Sequence, residues 1–300
     1  MIEVSLLRAR DVAALFDLWR HVSVREGASC ELSVSEFESQ VLLHGGEPRA
    51  VLAVDPKGWF VARSERKLLG FAHCTVGRLY GDDHETLRGV LRSVMLAPDA
   101  SPAVIRVLLR AVERYFRTQK DIQSVVAFHP HTGYPVWADG RGAVMHHQWS
   151  LMEALGNAGF HLTERWLFFS KVFNALIPEH LPALPGVRLV WDDVGDTDVG
   201  MLAFSGQDVV ARARFVILPR CNGDFRPDTA SLFYLEVCAA YRRQGLGHWL
   251  FERGINRLVD RGVYRLLIDV SHQDTLFQSR LRRLGFYEQP QRGYTYIKKL

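Results

Sequence analysis

Leu235-Glu236-Val237-Cys238-Ala239-Ala240-Tyr241-Arg242-Arg243-Gln244-Gly245-Leu246-Gly247-His248-Trp249-Leu250 reads as a strand running through a glycine-containing turn into an amphipathic helix. The helix continues to about Arg261, with Leu250, Phe251, Ile255, Leu258 and Val259 recurring at the helical period. The first amides of a helix have no partner inside it, and a turn without side chains lets an anion approach them. Gly245 and Gly247 therefore point to a phosphate-bearing ligand, and a pyrophosphate is the natural guest. No Gly-Lys-Ser/Thr follows, and the third glycine and downstream acid of a dinucleotide fingerprint are missing. Taken alone, the two glycines also fit a plain tight turn.

The strand spans Ser231 to Cys238, and a second strand, Tyr264 to Ser271, follows the helix, so the stretch is a βαβ unit. The same succession occurs earlier: a strand from Gly89 to Ala97, a helix from Pro102 to Gln119 with Val104, Leu108, Ala111, Val112 and Tyr115 inward, and a strand from Ile122 to Phe128. Each copy closes on a Gly-Phe pair, Gly159-Phe160 and Gly285-Phe286, followed by a last strand, Trp166 to Phe173 and Tyr294 to Leu300. Between them Pro178, Pro182 and Pro185 forbid helix interiors and sheet ladders alike. The repeat predicts two related α/β domains, residues 1–173 and 187–300, joined by a linker at 174–186. The first opens with two helical patterns, Arg10 to Val22 and Val34 to Leu43, and two strand patterns, Gly58 to Ser64 and Leu68 to Val76. The second has strands at Val187 to Trp191, Gly200 to Ser205 and Val209 to Leu218 but little room for two helices. The walls such helices would build are absent there or come from the first domain.

Composition narrows the function class. A 300-residue chain that is 48% hydrophobic, with 24 Gly, 12 Pro and no 18-residue apolar run, is neither disordered, fibrous nor helically membrane-spanning. Its net charge of +4 divides as +1 over residues 1–173 and +3 over 174–300, too weak an excess for nucleic acid but suited to a small anion. Cys30, Cys74, Cys221 and Cys238 lie far apart, which predicts packed thiols in a reducing compartment. The opening Met1 to Arg8 mixes acid and base where a signal peptide needs a basic tip and a longer apolar core, so the cytoplasm is expected.

Arg242-Arg243-Gln244-Gly245-Leu246-Gly247 resembles the Arg/Gln-x-x-Gly-x-Gly/Ala pyrophosphate loop of the GNAT acetyltransferase superfamily. Val237 stands where that family has its strand valine, and Leu284-Gly285-Phe286 where it has Leu-Gly-Phe after its last helix. The resemblance covers residues 187–300 and, in degraded form, 1–173. It implies a tandem protein of two domains, each a central mixed, largely antiparallel sheet flanked by helices. It also implies acetyl-CoA as co-substrate, the pantetheine arm on the main chain of Leu235 and Val237 and the pyrophosphate on the amides of Arg243, Gln244, Gly245, Leu246, Gly247 and His248. Arg242 and Arg243 would add charge. In the first domain Ala100-Ser101-Pro102-Ala103-Val104-Ile105 replaces the loop. Pro102 removes a donor there and Ile105 would push a branched side chain into the cradle, so the site is expected to be degenerate. A structural, substrate-shaping or dimerising role, as in a homodimer, is left for that domain.

Acetyl transfer to a primary amine needs a neutral nucleophile and a route for its proton. Some family members use an acid in the fifth strand, five residues before an Asn; Asp269 takes that place, with Asp274 at the Asn position. Glu236, beside Val237, is the other candidate, and the pleat phase near a bulge decides which of them faces the cleft. The position of the family's frequent proton-donating tyrosine is Leu281, which leaves water, His272 or Tyr294. Direct attack in a ternary complex is expected, since Cys238 has no paired histidine in sequence. The competing reading is a non-catalytic acyl-CoA-binding or sensing protein whose first domain meets a partner. Phe128 to Gly142, with His129 and His131, followed by His146-His147, lacks a recognised ligand spacing, so no metal is expected. That loop is read as contributing contacts to a substrate or partner.

Overall fold

A computed structural model describes residues 2–25, 32–43, 50–53, 55–65, 67–79, 86–134, 142–145, 147–193, 198–218 and 228–300. In chain order the elements are β1 (Ile2–Leu6), α1 (Val12–Arg25), α2 (Val34–Phe37), β2 (Ala50–Leu52), β3 (Trp59–Ser64), β4 (Lys67–Leu79), β5 (Arg88–Leu96), α3 (Ala103–Arg117), β6 (Ser124–Ala127), β7 (Val144–Met145), α4 (Trp149–Asn157) and β8 (His161–Val172). They continue with β9 (Val187–Trp191), β10 (Asp198–Ser205), β11 (Asp208–Ile217), β12 (Asp228–Val237), α5 (Leu246–Asp260), β13 (Val263–Ser271), α6 (Thr275–Arg283) and β14 (Tyr287–Lys299). Two compact units emerge: Met1–Leu167 with Ser271–Gln273 and Gln291–Leu300, and Phe168–Val270 with Asp274–Pro290. This division departs from the linear one at 173 and 187. The second half of β8 belongs to the second unit, and most of β14 belongs to the first.

In the first unit the strands run β1-β3-β4-β5-β6-β14, antiparallel except for the parallel pair β5–β6 that the βαβ reading requires. Helix α3 buries Val104, Leu108, Ala111, Val112 and Tyr115 as its periodicity predicts, together with Ile105, Leu109 and Phe116. With α4 it packs one side of the sheet, through Leu151 and Leu155. A second cluster joins Leu15 and Trp19 of α1 and Phe37 of α2 to Trp59, Val61 and Phe71 of the sheet. The first unit therefore carries helices on both faces.

The second unit orders its strands β8-β13-β12-β11-β10-β9, again with one parallel pair, β12–β13. Helix α5 lies against the sheet so closely that a Cβ on Gly254 would stand 2.1 Å from the Phe215 ring. Phe251 of α5 meets Phe277 of α6 and Phe286, so both helices share this face. Among the described residues, 187–237 supply strands only.

The repeated Gly-Phe pair has a local cause. Gly159 (φ +82°) and Gly285 (φ +78°) take the left-handed conformation just beyond α4 and α6. Phe160 N–H then bonds Leu155 C=O and Phe286 N–H bonds Leu281 C=O, the six-to-one closure that ends a helix. Among the described residues no helix is long and apolar enough to cross a membrane.

Candidate active site

The site begins where a ladder ends. β12 and β13 pair in parallel only as far as Ser231↔Leu267, and both strands run on, to Val237 and Ser271. Just past that point the β11–β12 register jumps from Arg214↔Tyr234 to Phe215↔Leu232, which leaves Phe233 as the extra residue of a bulge. A bulge bends its strand and sharpens its twist, so β12 leaves the course of β13 here. Leu235 and Val237 lie on the stretch of β12 that β13 no longer accompanies.

At the far end of that stretch the chain turns over Ala239–Tyr241 into α5. Arg243 (φ +64°) and Gly245 (φ +86°), two residues apart in this turn, are both left-handed. His248 and Trp249 N–H both return to Gly245 C=O at 3.0 Å, so the His248 amide is already engaged. No bond from the N–H of Leu246 or Gly247 is found among the described residues. A Cβ on Gly247 would meet only Val237 Cγ2, at 3.4 Å, which leaves space before these amides. Arg242 Nε donates to Val237 C=O at 3.1 Å and braces the strand end, while the side chains of Arg242 and Arg243 are exposed. Gln244 C=O accepts from Ala183 N–H. These residues lie at the mouth of the parted strands, with space before the N–H groups of Leu246 and Gly247.

Register settles the pleat phase of the two carboxylates. Phe215 faces α5; Val216, Arg214 and Arg212 alternate to the other side, and with them their partners Ser231, Tyr234 and Glu236. Ser231 pairs with Leu267, so Leu267 and, two residues on, Asp269 take that side too. Glu236 and Asp269 thus share the face opposite α5. Arg212 Nε bonds Glu236 Oε2 at 2.7 Å and its guanidinium lies 5.3 Å from the Tyr234 ring. Burial pushes the Tyr234 hydroxyl above its ordinary pKa. Arg212, which the sequence reading missed, carries no motif; only strand pairing reveals it.

Other candidates have structural duties. Asp274 caps α6, its carboxylate accepting from Phe277 N–H at 3.0 Å. Leu281 is fully buried and supplies the carbonyl of the helix closure. Cys238 is exposed, its thiol 3.5 Å from Val209 C=O. In the first unit, His272 N–H donates to Arg165 C=O and its ring lies 3.5 Å from Glu164, while Tyr294 pairs with Val144 on β7.

The first unit repeats the bulge but not the opening. Its register shift between His73 and Cys74 makes Arg92 the extra residue on β5. Arg92 is 1% exposed and donates from Nε to Thr132 C=O and from Nη2 to Gly133 C=O, both at 2.9 Å. Its guanidinium lies 4.3 Å from the Tyr134 ring, and Tyr134 Oη bonds His73 Nδ1 at 2.6 Å. Burial lowers the Arg92 pKa and raises that of Tyr134. The chain's own residues 130–134 thus pack where β5 passes beyond β6. Ile105, expected in the cradle, is instead buried in the core. The α3 amides are engaged: Ala103 by Ser101 Oγ, Val104 by Ser101 C=O and Ile105 by Pro102 C=O. A lone arginine in the apolar strand Gly89 to Ala97 was the available signal. Of the histidine-rich loop, Pro135 to Arg141 and His146 lie outside the described residues; His129 and His131 contact the Trp166 ring.

The linker is ordered along α5. Asn256 bonds Ile177 through both N–H and C=O, and Glu179 pairs with Arg253.

The profile of the Acetyltransferase (GNAT) family matches residues 166–286. No curated protein matches the chain in sequence. Among solved structures, the chain resembles a tandem GNAT protein from the clavulanic acid biosynthesis pathway at 12% identity and TM-score 0.65, covering 100% of this chain and 98% of that one. It resembles a GCN5-related N-acetyltransferase from Sphaerobacter thermophilus at 11% identity and TM-score 0.64, over 99% and 95%. A GCN5-related glucosamine N-acetyltransferase region in a fungal multi-domain β-N-acetylglucosaminidase aligns at 13% identity and TM-score 0.69, over 99% of this chain and 38% of that one. At such identities the likeness speaks for the fold, and the profile match for residues 166–286. Residues 166–286 thus match the Acetyltransferase (GNAT) family, and the chain as a whole has the fold of tandem GNAT proteins.

Proposed function

We propose that the second unit binds acetyl-CoA and transfers its acetyl group to a primary amine, of a small molecule or a peptide, in the cytoplasm. The observation that carries this reading is the parting of β12 from β13 beside a turn with two left-handed residues at the start of α5. The main chain of Leu235 and Val237 pairs with the pantetheine arm, and the amides from Arg243 to Gly247 receive the pyrophosphate, with Arg242 and Arg243 beside it. His248 contributes through its place in the first turn of α5.

The amine nitrogen attacks the thioester carbonyl carbon, the oxyanion is held by main-chain N–H groups, and the C–S bond breaks. Asp269, directly or through water, takes the ammonium proton; Glu236, on the same face, holds Arg212. The departing thiolate takes its proton from water, because Leu281 has none to give. The first unit has its opening filled by residues 130–134 and serves as scaffold, without CoA of its own.

Calorimetric titration of acetyl-CoA into the wild type and Gly247→Glu tests the cofactor site. One site per chain, lost in the variant, is the expected result. A screen of amines read by thiol release then tests transfer. Binding without amine-dependent release in any amine class would leave an acyl-CoA-binding module, and no binding by folded wild type would remove the proposal altogether.

A further inference from the structure

We propose that His180, His248 and Glu252 form a zinc site that fastens the proline-rich segment to the start of α5. His248 and Glu252 are four apart on the helix and so share a face. His180 lies 72 residues before Glu252, a spacing that no sequence motif encodes. The segment brings it there by running along α5: Ile177 on Asn256, Glu179 on Arg253, His180 on Glu252 and Ala183 on Gln244. His180 Nδ1 and His248 Nε2 each stand 2.7 Å from the same oxygen, Glu252 Oε1. The three ligand atoms all lie within 4.8 Å of one another.

Two imidazoles and one carboxylate suit zinc, which takes such atoms at about 2.0–2.2 Å in a tetrahedron, and they offer too few oxygens for calcium or magnesium. The other carboxylate oxygen, Oε2, accepts the backbone N–H of His180 at 2.7 Å, the kind of second bond that fixes a ligand's orientation. Glu252 is 2% exposed. The His180 side chain is 68% exposed, which leaves the fourth position open to water. The consequence reaches the cradle, since a Cβ on Gly245 would stand 3.3 Å from Pro182 Cα. Zinc would hold this strap on the turn. The site stands on α5 and the strap and does not depend on the acyl-transfer reading.

Tag-free protein, stripped by chelator and dialysed against Zn²⁺, is measured for metal per chain by plasma mass spectrometry, with Co²⁺ absorption reporting tetrahedral geometry. One zinc per chain is expected. His180→Ala, at an exposed position that leaves the helix intact, should weaken binding by about tenfold or more, and His248→Ala should do the same. Glu252→Gln is checked for folding by circular dichroism first. Folded wild type that takes up no stoichiometric zinc overturns the site. Full stoichiometry and affinity in His180→Ala and His248→Ala would place the metal elsewhere, such as His129 and His131, and overturn it equally.

Discussion

Phe233 and Arg92 hold the same place in their units: each is the extra residue of the bulge in the strand that precedes the βαβ helix. An apolar ring in one case and a guanidinium in the other divide the fate of the two openings. The guanidinium needs buried acceptors, and it finds them in residues 132 and 133 of its own chain. Arg92→Leu leaves those carbonyls without their donor, and we expect it to cost about 2–4 kcal/mol of stability. Chemical denaturation checks this, and acetyl-CoA affinity should stay unchanged. Tighter or additional acetyl-CoA binding in Arg92→Leu would show that the filled opening is a blocked ligand site rather than a scaffold.

The two cradle glycines should differ in what they tolerate. Gly247 has ordinary contact distance to Val237, so Gly247→Ala should fold with wild-type stability. Gly245 is left-handed and faces Pro182, so Gly245→Ala should lose about 1–2 kcal/mol. Equal melting curves for the two variants would contradict the geometry.

Asp269 and Glu236 share a face, and Arg212 occupies Glu236 Oε2. Asp269→Asn should lower kcat by about 100-fold with little change in KM for acetyl-CoA, a loss typical of a missing general base. Glu236→Gln should act more weakly. A flat pH profile in Asp269→Asn beside a sloping one in the wild type would mark the group; the reverse ranking would move the role to Glu236.

The elements that build the cradle were legible because each rests on local chemistry. Gly245 must be left-handed, α5 shows its period, and Gly285-Phe286 is the signature of a helix stop. The side chains that finish the site were not legible. Arg212 meets Glu236 through antiparallel register, Arg92 meets residues 132 and 133 through a bulge, and His180 meets Glu252 across 72 residues. Register and tertiary closure depend on the whole sheet, and no window of sequence carries them. The assignment of parts of β8 and of β14 to each of the two units is likewise not legible in any one stretch of sequence.

Two thiols should report the difference between core and cradle. Cys74 is buried, donates to Gly58 C=O at 3.3 Å, and burial pushes its thiol well above the ordinary cysteine range. Cys238 is exposed at the head of the turn. With peptide mapping by mass spectrometry, Cys238 should alkylate readily at pH 8 and Cys74 only on unfolding. Saturating acetyl-CoA should slow Cys238 several-fold; an unaltered rate despite measured binding would place the ligand away from this turn.

Glu113 links α3 to the last strand within the first unit. Arg117 donates to its carboxylate at 2.9 Å and Lys298 Nζ lies 3.0 Å away, and the Arg117 bond, then that from Lys298, hold the Glu113 carboxyl below the ordinary glutamate range. A carboxyl more acidic in the folded than in the unfolded chain stabilises the fold above the unfolded pKa, and that contribution fades as pH falls through the folded one. Glu113→Gln keeps an acceptor but removes the charge. The wild type should therefore melt higher than Glu113→Gln at pH 7, and the two curves should converge in the acid range below about pH 4. A melting difference that persists unchanged into acid would mean that shape and hydrogen bonding, not the charge of Glu113, hold α3 to β14.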